Sequence, residues 1–219
     1  MSREKYQRNL EILRSNTVEM AVTSLNMIKN STTSLLTLDK ELAEETIAMD
    51  DIVDEHEMII DKCVSSLITL QQPMAGDMRL ITSCLTIAID LERLSDLASN
   101  IAWVTLEVEG GITDVEPLLS RISSMSDIAE KMLEDTIVAF KNSDAKLAKK
   151  IAEYDDKLDE LFFENERQYI EIMNKNNTII SDASHLLFVL RYLERIGDHV
   201  CNICQSIVYL ATAERVRLN

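Results

Sequence analysis

The chain has 219 residues, of which 38 are acidic and 22 basic, and its formal net charge is −16. This charge argues against binding to nucleic acids, because such proteins need a basic face for the phosphates, and it disfavours anionic membrane surfaces. Only four Gly and two Pro occur, so the residues typical of turns between strands are scarce and the composition predicts an all-α fold.

The sequence also indicates the compartment. No apolar run approaches the roughly 20 residues that span a bilayer, and residues 1–10 are polar, unlike a signal peptide. We therefore expect a cytoplasmic protein that does not insert into the membrane. In a reducing compartment the four cysteines are predicted to be buried thiols rather than disulfides: Cys63, Cys84, Cys201 and Cys204.

Helix-breaking residues divide the first half into three helical stretches. They are predicted at about residues 3–30, 39–71 and 74–108. Asp39 is a plausible N-cap of the second helix, and Pro73 ends it. Short turns between successive helices make them antiparallel neighbours.

The second half has the same organisation. A Gly-containing linker at 110–113 separates the first unit, residues 1–109, from the second, residues 114–219. Asp144, or Ser143 before it, caps the middle helix of the second unit. The fold predicted is therefore two tandem similar three-helix bundles, each closing its own apolar core. The last three helices are expected to end near residues 141, 174 and 214.

An internal duplication supports this division. Residues 90–101 (DLERLSDLASNI) and 192–203 (YLERIGDHVCNI) share six of twelve positions. Upstream, residues 50–55 (DDIVDE) correspond to residues 155–160 (DDKLDE). A repeat period of just over a hundred residues indicates two similar structural units.

The duplicated acids are placed at matching heights on neighbouring helices. Asp54 and Glu92 are each 19 residues from Pro73, and Asp50 and Asp96 are each 23 residues from it. In an antiparallel hairpin these acids lie level with one another. The second half repeats the arrangement about its own turn at 175–178, with Asp155, Asp159, Glu194 and Asp198.

Four gathered carboxylates repel one another unless they are solvated, protonated, paired with basic groups or bridged by cations. Oxygen-only ligands suit hard cations such as Mg²⁺, Ca²⁺, Mn²⁺ and iron. The alternative to a cation site is that these acids form two exposed stripes on adjacent helices. Arg93 and Arg195 follow the glutamates and are expected to form interhelical salt bridges, and Asn100 and Asn202 are expected to bond to backbone or to a ligand water.

These residues resemble a known family. Residues 91–96 (LERLSD) and 193–198 (LERIGD), each with an Asn four residues beyond, resemble the paired E(D)xxxD signatures of the PhoU family of phosphate-responsive regulators. Residues 72–79 (QPMAGDMR) are similar to that family's QP-x-A-x-D-L-R turn. The resemblance covers both halves, with Ser95 in place of the usual Gly.

The resemblance implies two three-helix bundles in a cytoplasmic, non-enzymatic regulator of phosphate uptake and phosphate-starvation signalling. Its expected partners are the ATPase subunit of a phosphate transporter and a sensor kinase, and a homo-oligomer stays open. The resemblance also implies multinuclear iron or zinc clusters. The expected metal ligands are Asp50, Asp54, Glu92, Asp96, Asp155, Asp159, Glu194 and Asp198.

Two other classes of function remain open at this point. A carboxylate-bridged metalloenzyme on a helical bundle needs Glu-x-x-His motifs, and the nearest case is a single Asp182-x-x-His185. A passive helical scaffold with solvated acids is the second alternative. The regulator is the leading interpretation.

Overall fold

The structure, a computed structural model, describes residues 3–70, 73–109 and 112–218, and its regular elements over these residues are all helical. The helices of the first half are α1 (Arg3–Thr37), α2 (Lys40–Ala48), α3 (Asp50–Leu70) and α4 (Ala75–Glu107). Those of the second half are α5 (Ile112–Asn142), α6 (Ala145–Ala152), α7 (Asp155–Lys175) and α8 (Ile180–Thr212), with a short 3₁₀ turn at Asn177–Ile179.

The predicted all-α fold of two helical repeats is confirmed, but the first helix is longer than predicted. It continues past Asn30 because the polar residues there satisfy their hydroxyls within the helix. Ser31 donates to the carbonyl of Ile28 at 3.0 Å, and Thr32 donates to the same carbonyl at 2.9 Å. Both side chains are buried, so this polar stretch is part of the packed helix rather than a turn.

The middle helix of each half is broken in two, which the sequence did not predict. In the first half the break lies at Met49, whose amide bonds to the carbonyl of Thr46 at 3.1 Å while its own carbonyl accepts from Ile52 at 3.0 Å. In the second half α6 ends at Ala152 and α7 begins at Asp155. Each break places an acid pair in the first helical turn, where the helix dipole favours negative charge.

The turns before these helices are equivalent in the two halves. Leu38 and Ser143 both have positive φ, 53° and 49°. The carboxylate of Asp39 then accepts from the amide of Leu42 at 3.1 Å, and that of Asp144 accepts from two amides of the next helix at 3.0 Å. Both predicted N-caps are confirmed.

The two halves pack against each other through their long helices. α1 contacts both α4 and α5, and α4 contacts α8. The buried apolar residues of both halves form one continuous cluster. The expectation that each bundle closes its own core is therefore wrong, because the first and last helices of the repeats meet in a shared interior.

The linker was predicted at 110–113, and residues 110 and 111 lie outside the described residues. Residues 112 and 113 belong to α5, which begins at Ile112, and the unit boundaries at 109 and 114 stay predictions. Among the helices that the structure describes, none is both long and apolar enough to cross a membrane.

Candidate functional site

The first acidic cluster joins α3 and α4. Burial raises the pKa of Asp50 to about 6, and repulsion from Asp96 and then from Asp54 adds to the shift. Burial also raises the pKa of Glu92, with Asp96 and Asp54 contributing. The carboxylates that the sequence placed level with one another are therefore near enough to repel one another across the two helices.

The second acidic cluster joins α7 and α8 in the same way. Burial raises the pKa of Glu194 to about 7; Arg191 opposes the shift, whereas Asp198, Asp159 and Asp155 reinforce it. Burial, followed by repulsion from Asp198, raises the pKa of Asp159. The carboxylates of the second predicted set are thus also near enough to repel one another.

The second cluster lies deeper than the first. Asp155 is 1% exposed, whereas Asp50, its equivalent, is partly exposed. Gly197 faces Asp155, and a Cβ added there would lie 2.5 Å from the Oδ1 of Asp155 and 2.7 Å from the side chain of Leu158. Because Gly197 has no side chain, the carboxylate of Asp155 can pack directly against α8. The equivalent residue in the first half is Ser95.

The arginines do not act as the sequence predicted. Arg93 contacts Glu92 at 3.4 Å and Asp96 at 3.9 Å, both on its own helix, so its predicted interhelical salt bridge is wrong. Arg195 is exposed.

Arg191, which the sequence reading did not single out, joins α8 to α7. Its Nη1 donates to Glu194 Oε1 at 2.8 Å, and its guanidinium lies 5.5 Å from the ring centroid of Phe162 on α7. Its position three residues before Glu194, on the same helix face, is the signal that could have identified it.

The donor set fits a hard cation by its chemistry. The eight predicted ligands offer carboxylate oxygens only, which suit iron better than zinc, since proteins hold zinc largely with Cys and His. Glu194 Oε2 is buried and has no hydrogen-bond partner among the described residues. Within those residues no three Asp, Glu, His or Cys side chains stand close enough together to hold a metal ion. Side chains would therefore have to rotate to bind one, and the metal sites stay predictions.

A polar contact between the repeats was not predicted. Asp90 on α4 is buried, and its Oδ1 lies 3.0 Å from His199 Nδ1 and accepts from Asn202 Nδ2 at 3.2 Å, both on α8. The side-chain amide of Asn202 thus donates to a side chain and not to the backbone, and its ligand-water role stays a prediction. Duplication could not reveal this contact, because Asp90 corresponds to Tyr192 in the second repeat.

The four cysteines are free. Cys84, Cys201 and Cys204 are buried, as predicted, and Cys63 is half-buried. Burial raises the pKa of the Cys201 and Cys204 thiols, which keeps them in the unreactive protonated form.

Comparison with known proteins gives consistent matches. The family model described as the PhoU domain matches residues 17–105 and 122–207. A "Phosphate-specific transport system accessory protein PhoU homolog" of Clostridium acetobutylicum is 32% identical over the full length of both chains. A protein of the same description from Aquifex aeolicus is 36% identical, and the match covers 97% of this chain and 96% of that protein.

Solved structures agree. The phosphate transport system regulatory protein PhoU from Streptococcus pneumoniae superposes with a TM-score of 0.87 at 26% identity, covering 96% of this chain and 99% of that one. PhoU from Pseudomonas aeruginosa gives a TM-score of 0.83 at 30% identity, covering 95% and 100%. The duplicated helices, the paired acid signatures and these full-length matches have one explanation: the chain belongs to the PhoU family, as a regulatory protein and not an enzyme.

Proposed function

We propose that this chain acts in the cytoplasm as a regulator of phosphate uptake and of phosphate-starvation signalling. It acts by docking on the ATPase subunit of a phosphate transporter and on a sensor kinase. The observation that carries this proposal is the full-length match to proteins described as accessory to phosphate-specific transport. The acidic character of the chain, −16 overall, favours basic patches on the partners and speeds their encounter at low salt.

The same proposal includes cation binding at the two acidic clusters. In each cluster a carboxyl group has its pKa raised, to about 6 for Asp50 and to about 7 for Glu194, because burial and the neighbouring carboxylates disfavour its ionised form. A bound cation relieves the same repulsion without a proton. Asp50, Asp54, Glu92 and Asp96 would hold one multinuclear iron or zinc cluster. The second would be held by Asp155, Asp159, Glu194 and Asp198.

Thermal unfolding of chelator-treated protein tests the cation sites. A ligand that binds only the folded state at a hundredfold excess over its Kd stabilises by about 2.7 kcal/mol, so Fe³⁺, Mn²⁺ or Zn²⁺ should raise Tm. The Asp50→Asn/Asp96→Asn variant should lose part of the rise. Glu41→Gln/Glu45→Gln is the matched control, because these exposed acids of α2 have the same four-residue spacing.

An unchanged melting curve with all three metals would remove the cation sites from the proposal. An equal rise in both double variants would mean that the cations bind elsewhere on the acidic surface.

The regulatory role is tested in cells and with purified proteins. A strain lacking this chain should mismanage phosphate, with excess uptake as the expected defect. The purified chain should bind the transporter's ATPase subunit, and the affinity should fall as salt rises. Normal phosphate handling in the deletion strain, together with turnover of a substrate by the purified protein, would replace the regulator with an enzyme.

A further inference from the structure

Two large aromatic side chains on the α4 and α8 helices are exposed. Trp103 on α4 is 50% exposed and Phe188 on α8 is 60% exposed. Trp103 is the sole tryptophan of the chain. Aromatic side chains bury large apolar areas when a partner covers them, and they are enriched among the residues that dominate binding energy.

The two aromatic residues belong to different repeats but lie at one level. α4 and α8 run antiparallel, since Asp90 lies beside His199 and the amide of Glu109 donates to Asp182 at 3.1 Å. Trp103 is six residues before Glu109, and Phe188 is six residues after Asp182. The same register therefore places the two aromatics level across the helix pair.

They also face the same side of this helix pair. Thr82 on α4 and Asn202 on α8 line one open cleft between the helices. Trp103 follows Thr82 by 21 residues, and Phe188 precedes Asn202 by 14. A heptad falls about 20° short of two full helical turns, so Trp103 is turned by about 60° from Thr82 and Phe188 by about 40° from Asn202. Both therefore lie on the exposed side of the pair, beside the cleft.

A third ring extends the apolar surface. Tyr192 lies one turn beyond Phe188, and the two rings are stacked at a centroid distance of 6.4 Å. We refer to Trp103, Phe188 and Tyr192 as the aromatic platform. The corresponding position to Phe188 in the first repeat is Thr86, so the chain carries this surface on one end of the α4/α8 pair only.

The opposite end of the pair is bordered by another part of the chain. There the cleft is lined by Thr86 and Asp90 on one side and by Arg215 and Val216 of the C-terminal segment on the other. The two ends of a duplicated helix pair thus differ: one is polar and bordered by the chain's own terminus, and the other presents aromatic rings.

The charges around the platform indicate what covers it. Asp96 precedes Trp103 by two turns on α4, and Glu194 follows Phe188 by less than two turns on α8, so an acidic cluster borders the platform on each helix. A second copy of this chain would bring the same negative charges into contact. A partner with basic residues beside its apolar ones would complement both features.

We propose that the aromatic platform is the docking surface for an amphipathic helix of the transporter's ATPase subunit, with large apolar side chains on the platform and Lys or Arg toward the acidic clusters. The proposal rests on the proposed function and assigns its contact surface. Helix-in-groove recognition buries one apolar face in this way. Because only one end of the pair carries the platform, one partner helix binds per chain.

The sole tryptophan provides the test. Protein labelled with 5-fluorotryptophan has one ¹⁹F resonance, from Trp103, and purified ATPase subunit is titrated into it. The resonance should shift with saturation at one to one. Phe188→Ala should weaken binding at least about tenfold, as expected for a central anchor. Phe163→Ala is the matched control, a 53% exposed phenylalanine on α7, and should change affinity less than about twofold.

The outcomes separate the two proposals. Binding with an unmoved resonance and equal affinities for the two variants would overturn the platform and leave the regulatory function in place. A resonance that shifts with the chain's own concentration would identify a second copy as the occupant and overturn the assignment to the ATPase subunit. No binding of the ATPase subunit by the unaltered chain would overturn the docking function itself and the platform with it. Urea unfolding of both variants checks that each is folded.

Discussion

Gly197 determines how the second acidic cluster is packed. Alanine normally stabilises a helix interior by about 1 kcal/mol relative to glycine. At this position its Cβ would lie 2.5 Å from Asp155 Oδ1 and 2.7 Å from the side chain of Leu158, and relieving the clash requires these two buried side chains to shift. We expect Gly197→Ala to lower the free energy of unfolding by about 1–3 kcal/mol, as overpacking does, measured by urea denaturation.

Gly76→Ala is the control for this substitution. Gly76 lies in the first turn of α4, and the nearest atom to its added Cβ is the flexible end of Arg79 at 4.0 Å. We expect this variant to be as stable as the unaltered protein or slightly more so. Equal effects of the two substitutions would contradict the close approach at Gly197.

The pKa of Glu194 makes stability depend on pH. The folded protein raises it from 4.5 to about 7, so between these values the folded state holds a proton that the unfolded chain has released. The stability contributed by this group is fully present below about pH 4.5 and is lost as the pH rises to 7. In chelator-treated protein, Glu194→Gln should flatten this fall and be more stable than the unaltered chain at pH 8, by roughly 1–2 kcal/mol.

The measurement is urea unfolding at pH 4.5, 6 and 8. In the Glu194→Gln variant the free energy of unfolding should still fall as the pH rises, but less steeply, because the pKa of Asp50 is also raised, to about 6. A Glu194→Gln protein whose stability follows the same pH profile as the unaltered chain would show that Glu194 does not carry the dependence.

For single residues, the sequence predicted where the acids lie but not which side chains contact one another between helices. The nearness of acids on neighbouring helices could be predicted, because duplication and turn register placed them independently of the rest of the fold. The Asp90–His199 contact, 3.0 Å between the repeats, could not be predicted, because it depends on how α4 and α8 pack, and no repeated pattern encodes it. The same holds for Arg191, whose contact with Phe162 crosses from α8 to α7.

Among the helices, the C-terminal end of α5 is bound to α1 by the side chain of Arg14. Nη2 of Arg14 on α1 donates to the carbonyl of Phe140 at 2.7 Å, to that of Lys141 at 3.2 Å and to Ser143 Oγ at 2.7 Å. Both carbonyls lie in the last turn of α5, where the i→i+4 backbone partners are missing, and the Phe140 carbonyl also accepts from the amide of Ser143 at 3.2 Å. We expect Arg14→Ala to lower the free energy of unfolding by about 2 kcal/mol, measured by urea denaturation.

Arg8→Ala, at an exposed position of the same helix, is the control and should change stability by less than about 0.5 kcal/mol. Arg14→Lys keeps the charge but lacks the planar fork of donors, so we expect an intermediate loss. A loss in Arg14→Ala no larger than in Arg8→Ala would show that the contact does not join α1 to α5.

Helix ends with a chemical signal were predictable, and helix breaks without one were not. Asp39 and Asp144 follow the preference of Asp for N-cap positions, and both cap their helices in the structure. The breaks at Met49 and at residues 153–154 contain neither Gly nor Pro. No helix-breaking residue therefore marks them in the sequence.

At the scale of the whole molecule, the shared core changes what the duplication means. α1 and α4 pack on each other and on α5 and α8, so each repeat covers apolar surface of the other. Chain cleavage near residues 109–114, where the linker is predicted, should therefore leave the two parts associated. We expect gel filtration of the nicked protein to give one particle of unchanged size.

The separated parts should be less stable than the whole. Fragments 1–109 and 114–219, produced alone, expose the apolar faces that α4 and α8 bury against each other, and the loss of that burial weakens each fold. We expect each fragment to unfold at lower urea concentration than the intact chain, and an equimolar mixture to regain the intact midpoint, since association with the other half stabilises the folded state. If the nicked halves separated on gel filtration and kept their full helicity, each bundle would be stable alone. The two acidic clusters would then belong to two independent units, and they would not form one surface with the aromatic platform between them.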